Sequence, residues 1–359
     1  YEISCSLVGS EMCIRDRQRG DGYMSTLRDV AKLAGVSLAT ASRILSNDES
    51  FKATEATRKK IEDAVRELNY TFKSKAKTSK YNIGCIMAVT SEKYGDPFFN
   101  SILASAEEES TKYGMAISSI KNYNELKDPA ILSEMCRQNL DGLLLMEDLP
   151  KDTFAALTAS IPYIVGIDPY CCDYNNVGFD HIEATFQVMD HFLACGCRRI
   201  AYIGGGAPNT CFLDSKRMIA YRESLRKAGI PYDPSIVIDC DWDIEKCVQE
   251  TEQLMLQENR PDAIFAGSDT LASVILGKLY EMDIRCPRDI SIIGFNNLST
   301  TAHMIPPLST VDVPTHEIGK RSVQRLYQLI HEHDETILNI LLPTKFIERN
   351  STARKDMKE

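Results

Sequence analysis

The stretch that decides the fold, TLRDVAKLAGVSLATASRIL, runs from Thr26 to Leu45 and has the period of two short helices. In its first half, apolar side chains recur at the i, i+3, i+4, i+7 spacing of one helical face, at Leu27, Val30, Ala31 and Ala34. Gly35 predicts a tight turn after them, because glycine adopts a positive φ without steric cost. Ser37 then suits the N-cap of a second helix that ends near Leu45.

A third helix completes a small helical domain. Thr54 suits its N-cap, and its apolar stripe consists of Ile61, Ala64, Val65 and Leu68. A helix, a glycine turn and a capped second helix form a helix-turn-helix pattern.

Side chains outside the apolar stripe of the second helix are predicted to face DNA. Arg43 can donate two parallel hydrogen bonds to guanine, and Leu38 and Ala39 can contact a thymine methyl group. Thr40 and Ser42 suit phosphate contacts, which position a helix without reading sequence. The alternative is a helical cap whose exposed side chains bind nothing.

The charge of the chain is unevenly distributed. The whole sequence carries a net charge of −10, which argues against a protein that coats nucleic acid along its surface. Between Met24 and Lys80, however, there are 12 Lys and Arg residues and only 7 Asp and Glu residues. The polar linker 71–81 includes Lys73 and Lys77, which we expect to attract phosphate. A basic head on an acidic body can bind nucleic acid locally.

After the linker, short apolar runs alternate with amphipathic helical stretches. IGCIMAV from Ile83, GLLLM from Gly142 and ISIIGF from Ile290 indicate buried strands. This alternation predicts parallel sheets with helices on both faces. The body exceeds the usual size of one core, so we expect two α/β lobes. In such sheets ligands bind beyond the carboxyl ends of the strands.

Composition excludes several classes of protein. The 359 residues are 43% apolar and 26% charged, as in a soluble globular protein. No apolar run approaches the roughly 18 residues needed to span a bilayer, and no signal peptide is recognisable. We therefore expect a cytoplasmic protein without a membrane partner. Among 12 cysteines none forms a C-x-x-C set, so neither a metal nor a cofactor is predicted, although His191 lies one helical turn before Cys195.

Residues 1–23 differ from the rest of the chain. SLVGSEMCIRDR, which begins at Ser6, resembles translated read-through of a sequencing adapter, and Met24 suits a natural start. We expect this leader to be non-native or disordered, and it plays no part in the functional inference.

The segment from Thr26 to Leu45 resembles the opening of the lactose/galactose-repressor family of bacterial transcription regulators. The resemblance includes the turn AGVS and the second helix, and it extends from about Met24 to Thr352. It implies a helix-turn-helix domain followed by a two-lobed, periplasmic-binding-protein-like α/β body with parallel sheets. It also implies a homodimer on a pseudo-palindromic operator in double-stranded DNA, with Leu38, Ala39 and Arg43 as base readers.

The linker departs from the family pattern. Members usually carry a proline soon after an Asn-Tyr pair and form a hinge helix whose leucine enters the minor groove. Here Thr71 and Phe72 follow Asn69–Tyr70, and Ser79 stands near the position of that leucine. Whether the hinge forms a helix and bends DNA is left open.

The resemblance also implies an effector site between the lobes. DPFF, which contains Asp96, Phe98 and Phe99, resembles the NPFF motif of periplasmic sugar-binding proteins, with rings to stack on a sugar and a carboxylate for its hydroxyls. Further positions carry over by motif: Asp168, Arg217, Ser268, Asp269 and Asn296. The alternatives are core packing for one phenylalanine and helix capping for the polar residues, Asp269 in particular.

The expected boundaries follow from these patterns: head 24–70, hinge 71–81, first lobe 82–180 with 313–337, second lobe 181–312 with 338–349, and tail 350–359. The predicted function is a repressor of carbohydrate-utilisation genes, controlled by a small-molecule effector that binds between the two lobes and for which a sugar is the first candidate. Ser268 and Asn296 replace the family's usual asparagine and aspartate, which keeps a purine-like effector open.

Two other classes fit the sequence less well. An enzyme would need catalytic motifs, but GGGAPN from Gly204 lacks both the last glycine of a dinucleotide loop and a P-loop lysine. A sugar-binding protein without a regulatory role would have no use for a helix-turn-helix.

Overall fold

The computed structural model describes residues 26–45, 53–68, 80–87, 95–169, 173–206, 211–334 and 336–354. They belong to two compact units that divide between Thr78 and Ser79. The leader and most of the hinge, including Lys73 and Lys77, lie outside the described residues.

The first unit, the head, is all-α. Its helices are α1 (Leu27–Leu33), α2 (Leu38–Leu45) and α3 (Glu55–Glu67). Thr26 caps α1 in a reciprocal capping box with Asp29, and Gly35 adopts a φ of 64° in the turn. The Ser37 hydroxyl accepts the Thr40 amide at 3.0 Å, which satisfies an N-terminal donor of α2.

Small side chains fill the core of the head. The buried residues of this core are Val30, Ala31, Ala34, Ala41, Ile44, Ile61 and Ala64. Because alanines separate the larger side chains, the three helices can approach closely. Val30, Ala31 and Ala34 of the first predicted stripe and Ile61 and Ala64 of the third helix thus pack together, while the side chain of Leu27 lies outside the described residues.

The second unit, the body, contains a six-stranded parallel sheet in its first lobe. The strand order is β11-β5-β4-β3-β1-β2. The strands are β1 (Tyr81–Met87), β2 (Met115–Asn122), β3 (Gly142–Met146), β4 (Ile164–Ile167), β5 (Asn176–Phe179) and β11 (Asn339–Leu342). The helices between them are α4 (Pro97–Lys112), α5 (Tyr123–Leu126), α6 (Pro129–Arg137) and α7 (Lys151–Thr158).

A four-stranded parallel sheet forms the second lobe, in the order β7-β6-β8-β9. The strands are β6 (Ile200–Gly204), β7 (Val237–Asp239), β8 (Ala263–Ala266) and β9 (Ser291–Ile293). The helices are α8 (His181–Ala194), α9 (Lys216–Lys227), α10 (Ile244–Leu256) and α11 (Asp269–Glu281). The fold class predicted from the sequence, a helical head on a two-lobed parallel α/β body, is confirmed.

The last part of the chain returns to both lobes. Strands β10 (Thr310–Asp312) and β12 (Lys345–Ile347) form an antiparallel pair, and helix α12 (Thr315–Glu332) packs on α4. Gly319 permits this packing, because a Cβ there would overlap the backbone carbonyl of Ile102.

Two boundaries differ from those expected. Tyr81 belongs to β1 and not to the linker. Residues 338–349 were assigned to the second lobe, whereas β11 pairs with β5 in the sheet of the first. A buried polar tether accompanies this pairing: Asn175 Oδ1 accepts both Leu338 N at 2.9 Å and Arg325 Nε at 2.8 Å. No local sequence pattern encodes this contact between distant segments.

No helix in the described part of the chain is long and apolar enough to cross a membrane.

Candidate functional site

A cleft lies between the two lobes of the body, at the carboxyl ends of the parallel strands. The first lobe lines it with Asp96, Phe98, Phe99, Glu147, Asp148, Asp168 and Phe179. From His181 onward the chain lines it with His181, Tyr202, Gly205, Gly206, Ser215, Lys216, Arg217, Trp242, Gly267, Ser268 and Asn296. This is where a parallel α/β sheet places its ligand sites.

Asp96 connects the two lobes across this cleft. As the N-cap of α4, it accepts the Phe98 amide through Oδ1 at 2.8 Å. Its Oδ2 accepts the Thr270 hydroxyl, from α11 of the second lobe, at 3.1 Å. The carboxylate therefore has a structural role in addition to any role towards a ligand.

The two phenylalanines of DPFF are largely buried, Phe98 at 7% and Phe99 at 8% exposure. Their rings meet edge to face with centroids 5.1 Å apart. Phe98 also meets Phe179 edge to face at 6.5 Å. Both residues line the cleft, so they combine core packing with an apolar floor.

A hydrogen-bonded chain joins Asp168, His181 and Arg217. His181 Nε2 lies 2.8 and 2.9 Å from the two carboxylate oxygens of Asp168, and its Nδ1 accepts Arg217 Nε–H at 3.3 Å. Because Nδ1 is an acceptor, the proton is assigned to Nε2, which donates to Asp168. Burial lowers the pKa of His181, against the opposing effect of Asp168. The acceptor role of Nδ1 and the lowered pKa both favour the neutral imidazole.

Arg217 is held on several sides. Its Nη1 donates to the Gly267 carbonyl at 2.5 Å. The guanidinium carbon lies 3.9 Å from the centroid of the Phe295 ring and 6.0 Å from that of Trp242. Such contacts fix a planar cation in one orientation at the cleft wall.

Of Ser268, Asp269 and Asn296, the polar residues predicted to contact the effector from the second lobe, only two line the cleft. Ser268 and Asn296 line the cleft, and Ser268 is the N-cap of α11, accepting the Leu271 amide at 3.1 Å. Asp269 is completely buried beneath it and does not line the cleft. Its carboxylate accepts the Thr310 hydroxyl at 2.7 Å and the Leu298 amide at 2.8 Å.

The expectation that Asp269 contacts the effector is therefore corrected to a structural role. Its carboxylate is used to hold the loop after β9 and strand β10. Burial raises the pKa of Asp269 to about 7.

Several lining residues were not predicted from the sequence. Trp242 has a φ of 62°, and its indole N–H donates to the Gly206 carbonyl at 2.8 Å. It follows the short strand β7, which has no strong apolar signal. Glu147 and Asp148 could have been found, because they directly follow β3 at its carboxyl end.

The head presents a separate surface on α2. Leu38 is 44% exposed, Arg43 is exposed and Thr40 is half-buried. The side chains of Ala39 and Ser42 lie outside the described part of the structure. A helix-turn-helix head joined to a two-lobed body with an interlobe cleft defines the class of ligand-responsive DNA-binding proteins.

Comparison with known proteins identifies the family. Residues 26–72 match the bacterial regulatory proteins of the lacI family, and residues 189–352 match the periplasmic binding protein-like domain. The chain belongs to the lacI family of bacterial regulatory proteins. It is a transcriptional repressor of this family with an effector-binding domain, and not an enzyme.

Individual relatives match along most of the chain. The HTH-type transcriptional repressor CytR of Escherichia coli strain K12 is 29% identical over 333 residues, which span 91% of this chain and 96% of that protein. The HTH-type transcriptional regulator DegA of Bacillus subtilis strain 168 is 28% identical over 337 residues, 92% and 98% of the two chains. The structure of the transcriptional regulator CelR in complex with cellobiose has a TM-score of 0.69 at 25% identity, over 91% of this chain and 99% of that chain.

Within the described residues, no group of three or more His, Cys, Asp or Glu side chains is arranged to hold a metal ion. The His191–Cys195 pair noted in the sequence is a local contact, with Sγ 3.5 Å from Nε2. The same Nε2 lies 2.9 Å from the Thr352 hydroxyl, so these groups connect α8 to the end of the chain.

Proposed function

We propose that this repressor controls carbohydrate-utilisation genes and that a small sugar, bound in the interlobe cleft, sets its affinity for operator DNA. The observation that carries the proposal is the composition of the cleft. Aromatic rings of Phe98 and Trp242 occur there together with the polar groups of Asp168, Arg217 and Asn296. Sugars present apolar ring faces and hydroxyl edges, which such a mixture can bind.

A relative supports the same ligand class. CelR, whose fold matches along nearly the whole chain, was solved in complex with cellobiose. Transferred to this chain, Arg217 grips neighbouring hydroxyls with its planar fork, and the carboxylate of Asp168 accepts from them.

Control of DNA binding would arise from lobe closure. A ligand that contacts both walls of the cleft favours the closed body, and a hydrogen bond such as Thr270 to Asp96 forms only when the lobes are together. In a homodimer, closure would change the spacing of the two heads. Coupling of this kind is typically worth about 1–3 kcal/mol. Whether the ligand releases or strengthens DNA binding is decided by which spacing fits the operator.

DNA recognition is assigned to α2. Arg43 is exposed at the end of this helix and suits a bidentate contact with guanine, while the exposed Leu38 suits a thymine methyl group. Thr40 and Ser42 are assigned to phosphate contacts and Ala39 to a base contact. One helix reads only a few base pairs, so a homodimer on a pseudo-palindromic site supplies the specificity.

The DNA assignment is tested with Arg43→Ala and the charge-matched control Lys59→Ala, on the exposed face of α3. Operators are first selected from a randomised library with the wild-type protein. Arg43→Ala should lose about 1–3 kcal/mol of discrimination at one base pair of each half-site. Lys59→Ala should weaken binding to all operator sequences by the same factor. Full discrimination in Arg43→Ala contradicts the assignment.

The effector assignment is tested with a panel of cellobiose, ribose, glucose, adenine and hypoxanthine. Binding is followed by thermal shift and by the fluorescence of Trp242, the single tryptophan of the chain. At least one sugar should bind and change operator affinity, and Arg217→Ala should abolish that response while leaving basal operator binding intact. Stabilisation by a purine and by no sugar would replace the sugar with a purine-like effector. That alternative is favoured by Trp242 and by the donors and acceptors of Ser268 and Asn296.

A further inference from the structure

We propose that His181 is a positioning residue: in its neutral, Nε2-protonated form it links Asp168 of the first lobe to Arg217 of the second and thereby sets the geometry of the effector-gripping arginine. The inference rests on the proposed function, because it assigns Arg217 to effector binding. It adds a requirement for one tautomer of one side chain.

His181 can link the two lobes because of its position in the chain. It begins α8 directly after β5, where the chain passes from the first sheet to the second lobe. Its ring stacks on Phe179, the buried residue at the end of β5, with centroids 4.0 Å apart. Stacking removes the rotational freedom of the imidazole, so both nitrogens point in fixed directions.

Among the residues that the structure describes, each ring nitrogen has one hydrogen-bond partner, and the two partners lie in different lobes. Nε2–H donates to the Asp168 carboxylate, at 2.8 and 2.9 Å. Nδ1 accepts Arg217 Nε–H at 3.3 Å. A neutral imidazole has one donor and one acceptor, so only one tautomer satisfies both contacts.

Arg217 depends on this acceptor for its orientation. Its Nη1 is held by the Gly267 carbonyl and its face by Phe295. The side chain of Tyr202 is a further hydrogen-bond partner, and the contact from Nε to His181 fixes the Nε edge of the guanidinium. Loss of the acceptor would leave Nε–H at a half-buried wall without that partner and allow the guanidinium to rotate.

Protonation of His181 would break the link. The charged groups that act on its ring are the carboxylate of Asp168, after β4, and the side chains of Arg217 and Lys216, on α9. An imidazolium would donate from both nitrogens and face the guanidinium with a like charge. Burial and the two cations lower the pKa of His181, and Asp168 raises it, with a net shift downward. The link is therefore expected to hold at neutral pH and to fail on acidification.

Three variants separate the two halves of the link. His181→Asn can place an amide oxygen near the position of Nδ1 and keep the acceptor for Arg217. His181→Gln can place an amide nitrogen near the position of Nε2 and keep the donor to Asp168. His181→Phe keeps the stacking on Phe179 and removes both hydrogen bonds.

The first measurement needs no ligand. The ¹⁵N spectrum of the full chain labelled at its six histidines, assigned with His181→Asn, should show a neutral Nε2–H tautomer at pH 7. The fluorescence of Trp242, whose ring centroid lies 6.0 Å from the Arg217 guanidinium carbon, should titrate below pH 6.5 in the wild type and stay flat in His181→Asn. An Nδ1–H tautomer, or a pKa at or above the usual histidine value, overturns the proposal.

The second measurement uses cellobiose as probe. His181→Phe should bind it about tenfold or more weakly, and His181→Asn should recover most of that loss because it keeps the contact with Arg217. Equal affinity in His181→Phe and wild type overturns the proposal. If cellobiose does not bind the wild type, the sugar assignment fails for this probe, while the tautomer and fluorescence results still decide the role of His181.

Discussion

The hydroxyl of Thr270 donates to Oδ2 of Asp96 at 3.1 Å, although Thr270 belongs to α11 of the second lobe and Asp96 caps α4 of the first. The same carboxylate holds the start of α4 through the Phe98 amide. A cap that satisfies its own helix thus also joins the lobes at the edge of the cleft.

This contact makes a prediction about closure. Thr270→Val keeps the shape of the side chain and removes the hydroxyl, so the closed body should lose roughly 1 kcal/mol. Any effector that requires closure should bind about fivefold more weakly. Titration of Trp242 fluorescence measures the affinity. Thr270→Ser retains the donor and should behave like the wild type; a Thr270→Val protein with unchanged affinity would show that the contact does not contribute to closure.

A substitution at Gly205 is expected to displace the Trp242 ring that lines the cleft. A Cβ at this position would lie 2.6 Å from Trp242 Cδ1 and 2.9 Å from its backbone nitrogen, so Gly205→Ala must displace the indole. The emission of this single tryptophan should shift, and effector affinity should fall. Gly277→Ala is the control, because a Cβ there meets nothing within 4 Å. An unshifted emission spectrum for Gly205→Ala would mean that the loop adapts without moving the ring.

Because of Asp269, the stability of the body is expected to fall as the pH rises from about 4 to about 7. Burial raises its pKa to about 7, above the usual value for an unfolded chain, so the folded state binds the proton more tightly. The contribution of this proton binding to the free energy of unfolding is complete below about pH 4. It is lost as the pH rises to about 7, by up to about 1.4 kcal/mol per pH unit. Denaturant titrations at pH 5, 6, 7 and 8 measure it.

Asp269→Asn cannot titrate and serves as the reference. The difference in unfolding free energy between wild type and Asp269→Asn should shift in favour of the variant as the pH rises from 5 to 7. A difference that does not change over this range contradicts the raised pKa.

The head and the two-lobed body follow from local sequence patterns, whereas the connections within the cleft do not. Gly35 and Ser37 mark the turn and the cap because both effects act within a few residues. Arg217, Ser268 and Asn296 line the cleft as expected from motifs at strand ends. The pairing of β11 with β5 and the link from His181 to Arg217 join segments that are far apart in the sequence, and no residue periodicity encodes them. A match to a family motif does not place every residue of the motif in the site: Ser268 lines the cleft, whereas the carboxylate of its neighbour Asp269 is buried.

The turn of the head makes the final prediction. Gly35 has a φ of 64° and open space around its missing Cβ, so Gly35→Ala meets no clash and should cost only the left-handed backbone strain, about 1 kcal/mol. Gly229 has a φ of 68° and equally open space in the body. Calorimetry of the full chain should therefore show that Gly35→Ala lowers only the transition of the head, and Gly229→Ala only that of the body. Because the folded head is unchanged, operator affinity of Gly35→Ala should match the wild type well below its transition. A shift of the body transition in Gly35→Ala would show instead that the two units unfold as one.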